Sequence, residues 1–164
     1  MTLTLILMRH AKSDWGNPLL TDHDRPLNKR GRASARALGD WLRREGWLPD
    51  RALSSTSLRT RETWEGLKLT APVTWDAALY HAEPETMWEV LAGADGQVVL
   101  MLGHNPGIAE FAGQLVARAP DHDQFGTYPT CATLVVQFEA PDWASVRPGT
   151  GQARAFVVPR ELTE

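Results

Sequence analysis

Cysteine is almost missing from this chain. Cys131 is the only one in 164 residues, so no internal disulfide can form, which fits a reducing compartment. Metal-binding spacings are missing too. The five histidines form no HxH or HExxH pair, there is no CxxC, and Arg9 beside His10 would repel a cation. No metal and no other cofactor is therefore expected. No apolar run approaches the ~20 residues of a membrane-spanning helix. The apolar run Leu3 to Met8 is too short for a signal peptide and lacks a basic leader or a small-residue cleavage site. The expectation is a cytoplasmic protein with no membrane role. An excess of positive charge is also lacking: 17 Lys and Arg stand against 20 Asp and Glu, a net charge of -3. That argues against non-specific nucleic-acid binding, which needs clustered cations. Internal repeats and long linkers are absent, and the length suits a single domain over residues 1–164.

What is present is a set of buried strands with chemistry at their ends. Leu3-Thr4-Leu5-Ile6-Leu7-Met8 reads as a strand, and it delivers Arg9-His10 into the polar stretch Ala11 to Pro18. Gln97 to Leu102 repeats the arrangement and delivers Gly103-His104-Asn105-Pro106-Gly107. Arg51 to Ser54 reads as a third strand, which opens through Ser55 and Thr56 into a helix carrying Arg59 and Arg61. In open α/β sheets ligands bind outside the carboxyl ends of the strands. Two histidines and at least two arginines thus gather where such folds do chemistry.

Between these strands the apolar spacing predicts a helix from Asn28, an N-cap residue, to a stop at Gly46. A second helix is expected from Ser57 to Glu65, closed by Gly66, and a third from Pro84 to Gly93. Ile108 to Val116 makes a fourth. Pro72 to Leu79 reads as a short edge strand or irregular chain. Ala132 to Phe138 and Ala153 to Val158 are the last strands, joined by a Pro/Gly-rich loop over 141–151. This order predicts an α/β three-layer sandwich: a mostly parallel central sheet with an antiparallel edge, and helices on both faces.

The segments Leu7-Met8-Arg9-His10-Ala11-Lys12-Ser13, Arg25-Pro26-Leu27-Asn28-Lys29-Arg30-Gly31, Ser54-Ser55 with Leu58 to Thr63, and Gly103-His104-Asn105-Pro106 resemble the histidine phosphatase superfamily, with its phosphoglycerate mutase-like fold. Within it they are similar to the small SixA-like phosphohistidine phosphatases. Ala11 stands where many superfamily members have glycine, a variant that looks typical of the SixA-like branch. The resemblance implies His10 as the nucleophile, with Arg9, Arg59 and His104 around the phosphoryl group. Neutral imidazole can attack phosphorus and form a phosphoenzyme. Arginine suits the phosphoryl oxygens because its planar fork is always charged and binds them bidentately. A protonated His104 would add positive charge.

Other residues are open to two readings. Arg61 lies two positions from Arg59 and projects to the opposite side of the helix, toward solvent or a carboxylate. Arg25 either contacts the substrate or is a surface arginine. Lys12, Ser13 and Trp15 are placed to line the pocket mouth, or Trp15 to pack under its loop. His23, His81 and His122 read as surface or loop residues. The basic stretch Arg25 to Arg44 is either a solvated helix face or a dock for an anionic substrate or acidic partner. Glu83 is the candidate general acid, with a role at the start of the helix at Pro84 as its alternative. Without an acid, a substrate with a good leaving group is expected, and phosphohistidine on a protein partner, such as a histidine-containing phosphotransfer domain, is one. The alternatives are a phosphomonoesterase or mutase acting on a small phosphorylated molecule with Glu83 as acid, or a non-catalytic module that binds phosphorylated ligands.

Overall fold

The computed structural model describes residues 1–163. Its centre is β1 (Thr2–Arg9), whose alternate residues feed two separate cores. Leu3, Leu5 and Leu7 join one cluster; Ile6 and Met8 join the other. A strand buried on both faces reads as a continuous apolar run because side chains alternate with period two.

Around it lie β2 (Arg51–Ser54), β3 (Val73–Trp75), β4 (Val98–Gly103), β5 (Thr133–Glu139) and β6 (Gln152–Val157). The sheet order is β3-β2-β4-β1-β5-β6. The first four strands in that order are parallel; β5 runs antiparallel to both β1 and β6. The sheet is thus mostly parallel with an antiparallel side, as its element order predicted. α1 (Lys29–Glu45) and α2 (Leu58–Leu67) cover one face. α3 (Pro84–Ala92) and α4 (Gly107–Leu115) cover the other. A short α5 (Arg160–Thr163) follows β6. No helix among the described residues is long and apolar enough to cross a membrane.

Local chemistry explains the helix starts. The Asn28 side chain accepts a hydrogen bond from the Gly31 amide, and Ser57 accepts one from Thr60. Two glycines bring α1 close to its neighbours. A Cβ at Gly31 would stand 2.1 Å from the carbonyl oxygen of Lys12, so α1 lies directly against the chain leaving His10. Gly66 does not end α2, contrary to expectation. It sits inside the helix, where a Cβ would stand 2.7 Å from that of Ala35, and α2 runs on to Leu67. The segment 72–79 divides into edge strand β3 and a single 3₁₀ turn, Ala77–Leu79. The loop over 141–151 is pinned by Trp143, whose indole N–H donates to the carbonyl of Gly96 at 2.8 Å.

Candidate active site

The carboxyl ends of β1, β2 and β4 adjoin, with Arg9 in register with Gly103 and Ser54 with Leu102. This register sets His10 and His104 side by side, their ring centroids 5.2 Å apart. They line a cavity of about 330 Å³ with Arg9, Arg25, Arg59 and His81. Lys12, Ser13 and Trp15 line it as well.

His10 is held at both backbone groups. Its N–H donates to Gly103, and its carbonyl accepts from Cys131. The ring Nδ1 lies 2.7 Å from the carbonyl of Ala11. A carbonyl only accepts, so Nδ1 carries the proton and Nε2 keeps the lone pair. Burial pushes the imidazole pKa down to about 3, and Arg9, Arg59 and Arg25 push the same way against the Ala11 hydrogen bond. His10 is therefore a neutral imidazole at physiological pH.

His104 is 1 % exposed, with Nδ1 3.4 Å from an Arg59 amino group and Nε2 2.8 Å from the Ser55 hydroxyl. Burial, then His10, Arg59 and His81, hold its pKa at about 2. This corrects the expectation of a protonated His104. In the free protein His104 is neutral, and the cavity's positive charge resides on its arginines and Lys12.

Stability follows from these two groups with a definite sign. The unfolded chain binds more protons than the folded one between a pH of about 3 and the ordinary value of 6.5. Stability must fall as pH drops through that window and be unaffected by these groups above it. We expect the melting temperature of the wild type to fall more steeply than that of His104→Asn between pH 6.5 and about pH 4. Parallel curves in thermal melts would show that His104 is charged in the fold.

Arg59 comes from the first turn of α2 and is 2 % exposed. Its two amino groups donate to the Asp22 backbone carbonyl at 2.7 Å and carboxylate at 3.0 Å. Arg9 donates to the Tyr128 carbonyl at 3.2 Å, and the Tyr128 hydroxyl in turn donates to Leu7. The Nε–H groups of Arg9 and Arg59 are buried and have no hydrogen-bond partner among the described residues. Such orphaned donors are rare in proteins and suit a site that receives an anion. α2 also fixes the loop after His10: the Thr63 hydroxyl accepts from the Ala11 amide and donates to the Arg59 carbonyl, and Glu62 accepts from the Leu27 amide.

Arg61 points elsewhere, as its spacing predicted. It lies over the ring of Trp75 and donates to the carbonyl of Thr56, outside the cavity. Arg59→Ala should lower turnover by roughly 10²–10³, as loss of a preorganised charge donor does. Arg61→Ala should stay within a few-fold in the same assay. The reverse order would place the wrong arginine in the site.

Arg25 is buried in the cavity wall. It donates to the Ser13 hydroxyl at 2.6 Å and to Asp22, and its guanidinium stacks 3.5 Å from the centre of the Trp15 ring. Trp15 thus covers Arg25 and remains 76 % exposed. Glu83 is the N-cap of α3, exposed, and does not line the cavity. Its place matches the alternative of a residue at the start of that helix.

Two residues that sequence reasoning passed over stand at this site. Asp22 is the only carboxylate among the described residues lining the cavity. It accepts from Arg25, Arg59, His81 and the Tyr80 hydroxyl. Burial favours its protonation, but the hydrogen bonds from these four side chains outweigh it and hold the carboxyl well below the usual range. His81 is a loop residue, as expected, yet it lines the cavity with its ring 4.9 Å from that of His104. The three-residue spacing of Asp22 and Arg25 was the one available signal, and Asp24 blurred it. Among the described residues, no three His, Cys, Asp or Glu side chains are grouped to hold a metal ion.

A sequence profile of the histidine phosphatase superfamily (branch 1) matches residues 5–83. An uncharacterized Mycobacterium tuberculosis protein is 35% identical over 162 residues, covering 93% of this chain and all of the relative. The chain belongs to the histidine phosphatase superfamily. An uncharacterized chloroplastic Arabidopsis thaliana protein is 36% identical, covering 94% of this chain and 77% of its own length. Among solved structures, a candidate phosphohistidine phosphatase SixA from Nakamurella multipartitia is 29% identical, with a TM-score of 0.84 and 97% of both chains covered. The protein histidine phosphatase SixA complexed with tungstate shares the fold, with a TM-score of 0.77 at 21% identity over 98% of this chain and 100% of that one. This histidine phosphatase is SixA-like in sequence motifs and in fold.

Proposed function

We propose that the protein is a phosphatase that works through a phosphohistidine on His10 and removes phosphoryl groups from phosphohistidine on a protein partner. The observation that carries this reading is the state of His10. Its Nδ1–H is committed to the Ala11 carbonyl, its pKa is low, and its other nitrogen is left as a nucleophile in a cavity lined by Arg9 and Arg59, whose Nε–H groups have no partner among the described residues.

In the first step the Nε2 lone pair forms a bond to phosphorus, and the bond from phosphorus to the substrate nitrogen breaks. The departing imidazole has its far nitrogen protonated by solvent, so it leaves neutral. In the second step water attacks the phosphoryl group on His10. The bond to Nε2 breaks, phosphate leaves with the water's oxygen, and His10 returns to its starting form. Arg9 and Arg59 offset the charge spread over the equatorial oxygens throughout. No metal is assigned a part.

The substrate class rests on what the cavity lacks near the leaving group. Asp22 is held as a carboxylate and has no proton to give, and Glu83 lies outside. A phosphoramidate tolerates this far better than a phosphate ester. The decisive experiment compares turnover on a phosphohistidine protein, a phosphoserine peptide and sugar phosphates side by side. A sugar phosphate as best substrate would replace this reading with a metabolite phosphatase.

A further inference from the structure

A second concavity adjoins the catalytic one. Lys12 and Thr130 line both. The second measures about 460 Å³ and is bordered by Arg30 and Ser34 of α1 and by Pro159 and Arg160 beyond β6. No carboxylate lines it among the described residues. The Lys12 ammonium and the Arg30 guanidinium have no ion-pair or hydrogen-bond partner among those residues.

The helix that carries Arg30 is built against its own dipole. α1 opens with Lys29, Arg30 and Arg32, and its first turn holds no acidic residue. Positive side chains at a helix N-terminus are unfavourable, and carboxylates are the usual choice. Where local rules are broken without compensation inside the fold, function is the common reason. An anion seated beside Arg30 would satisfy both the helix end and the cations.

We propose that this concavity is a second anion subsite, which takes a carboxylate-bearing segment flanking the phosphoacceptor histidine of a protein substrate. The proposal rests on the protein-phosphohistidine reading above and names where that substrate docks. A second phosphate is the poorer occupant. The phosphoryl site next door uses an arginine that is 2 % exposed, whereas Lys12 and Arg30 are both exposed. Exposed cations steer and orient an acidic surface rather than enclose a phosphate. Val158 and Pro159 in the wall suit the aliphatic stems of glutamates. The other rim of the catalytic cavity carries the exposed Trp15, and the loop that follows it exposes Leu19 and Leu20. An acidic protein surface with apolar side chains fits both rims.

The test combines binding and kinetics. Isotope-labelled protein is titrated with a hexaglutamate peptide at low salt. Amide shifts are expected at Lys12, Arg30, Thr130 and Arg160, and they should vanish in Arg30→Glu and in about 0.5 M salt. The same variant should raise KM for a phosphohistidine protein about tenfold, leave kcat alone, and leave turnover of an aryl phosphate unchanged. Its melting temperature should rise, because the new carboxylate suits the helix end; a merely structural arginine would not show stability and affinity moving oppositely. Turnover of phosphohistidine protein without hexaglutamate binding overturns the subsite alone, as does an equal effect of Arg30→Glu on both substrates. Binding without such turnover overturns the substrate reading, and the assigned occupant with it. Inorganic phosphate saturating the concavity where hexaglutamate does not would make it a phosphate site instead.

Discussion

His10→Ala should abolish turnover, with a loss of roughly 10⁵-fold or more, as removal of a covalent nucleophile does. The wild type, given labelled substrate and quenched rapidly, should retain an acid-labile, base-stable label, and the variant none. The fold should survive the change. The hydrogen bonds that hold this position to Gly103 and Cys131 come from the backbone, and the imidazole adds a hydrogen bond to the Ala11 carbonyl and a ring contact with His104. A circular dichroism melt therefore separates lost chemistry from lost structure. Arg9, Arg59 and His104 stay in place in the variant and should still bind tungstate. Near-wild-type turnover of His10→Ala, or a label that persists in it, would end the phosphohistidine mechanism. The size of the expected loss follows from the absence of a substitute: His104 has its ring nitrogens turned to Arg59 and Ser55, and His81 donates toward Asp22.

How much of this was legible in the sequence depended on the range of the interaction. β1 was readable because a strand buried on both faces leaves an unbroken apolar run, and its end at Arg9 and His10 followed. Asn28 and Pro84 were readable because capping is chemistry within one helical turn. The choice between Arg59 and Arg61 was readable from helix phase. Gly66 misled, since the same residue serves as a helix stop or as a point of close packing, and only Ala35 on another helix decides between them. Asp22 was invisible for the same reason. Its partners Arg59, Tyr80 and His81 are far along the chain, and the nearby Arg25 alone does not mark a loop aspartate that accepts from four side chains. The charge on His104 was misjudged because a histidine's proton depends on burial, which a single sequence does not display. Glu83 could not be ranked until its helix was placed and the cavity was seen to lie elsewhere.

Substrate preference should follow the basicity of the leaving group. Neutral imidazole departs from phosphohistidine, and its conjugate acid has a pKa near ~6.5. An alkyl phosphate must expel an alkoxide, close in basicity to hydroxide, whose parent water sits at about 15.7. Enzymes that cleave such esters supply a proton, and general acid catalysis contributes typically about 10²–10⁴-fold. Here the cavity's carboxylate is Asp22, and Tyr80, His81, Arg25 and Arg59 hold it ionised. The Tyr80 hydroxyl, bonded to that carboxylate, has its pKa raised by burial and by Asp22, which makes it a weaker acid still. Alkyl phosphates should thus trail phosphohistidine in kcat/KM by a factor of roughly 10²–10⁴ beyond any difference in binding. Aryl phosphates, with better leaving groups, should fall between. Glu83→Gln should leave phosphohistidine turnover unchanged, since Glu83 stands outside the cavity. A plot of log kcat/KM against leaving-group pKa should slope steeply downward across alkyl and aryl esters. A flat plot would show that a proton is being delivered, and loss of ester activity in Glu83→Gln would identify its source.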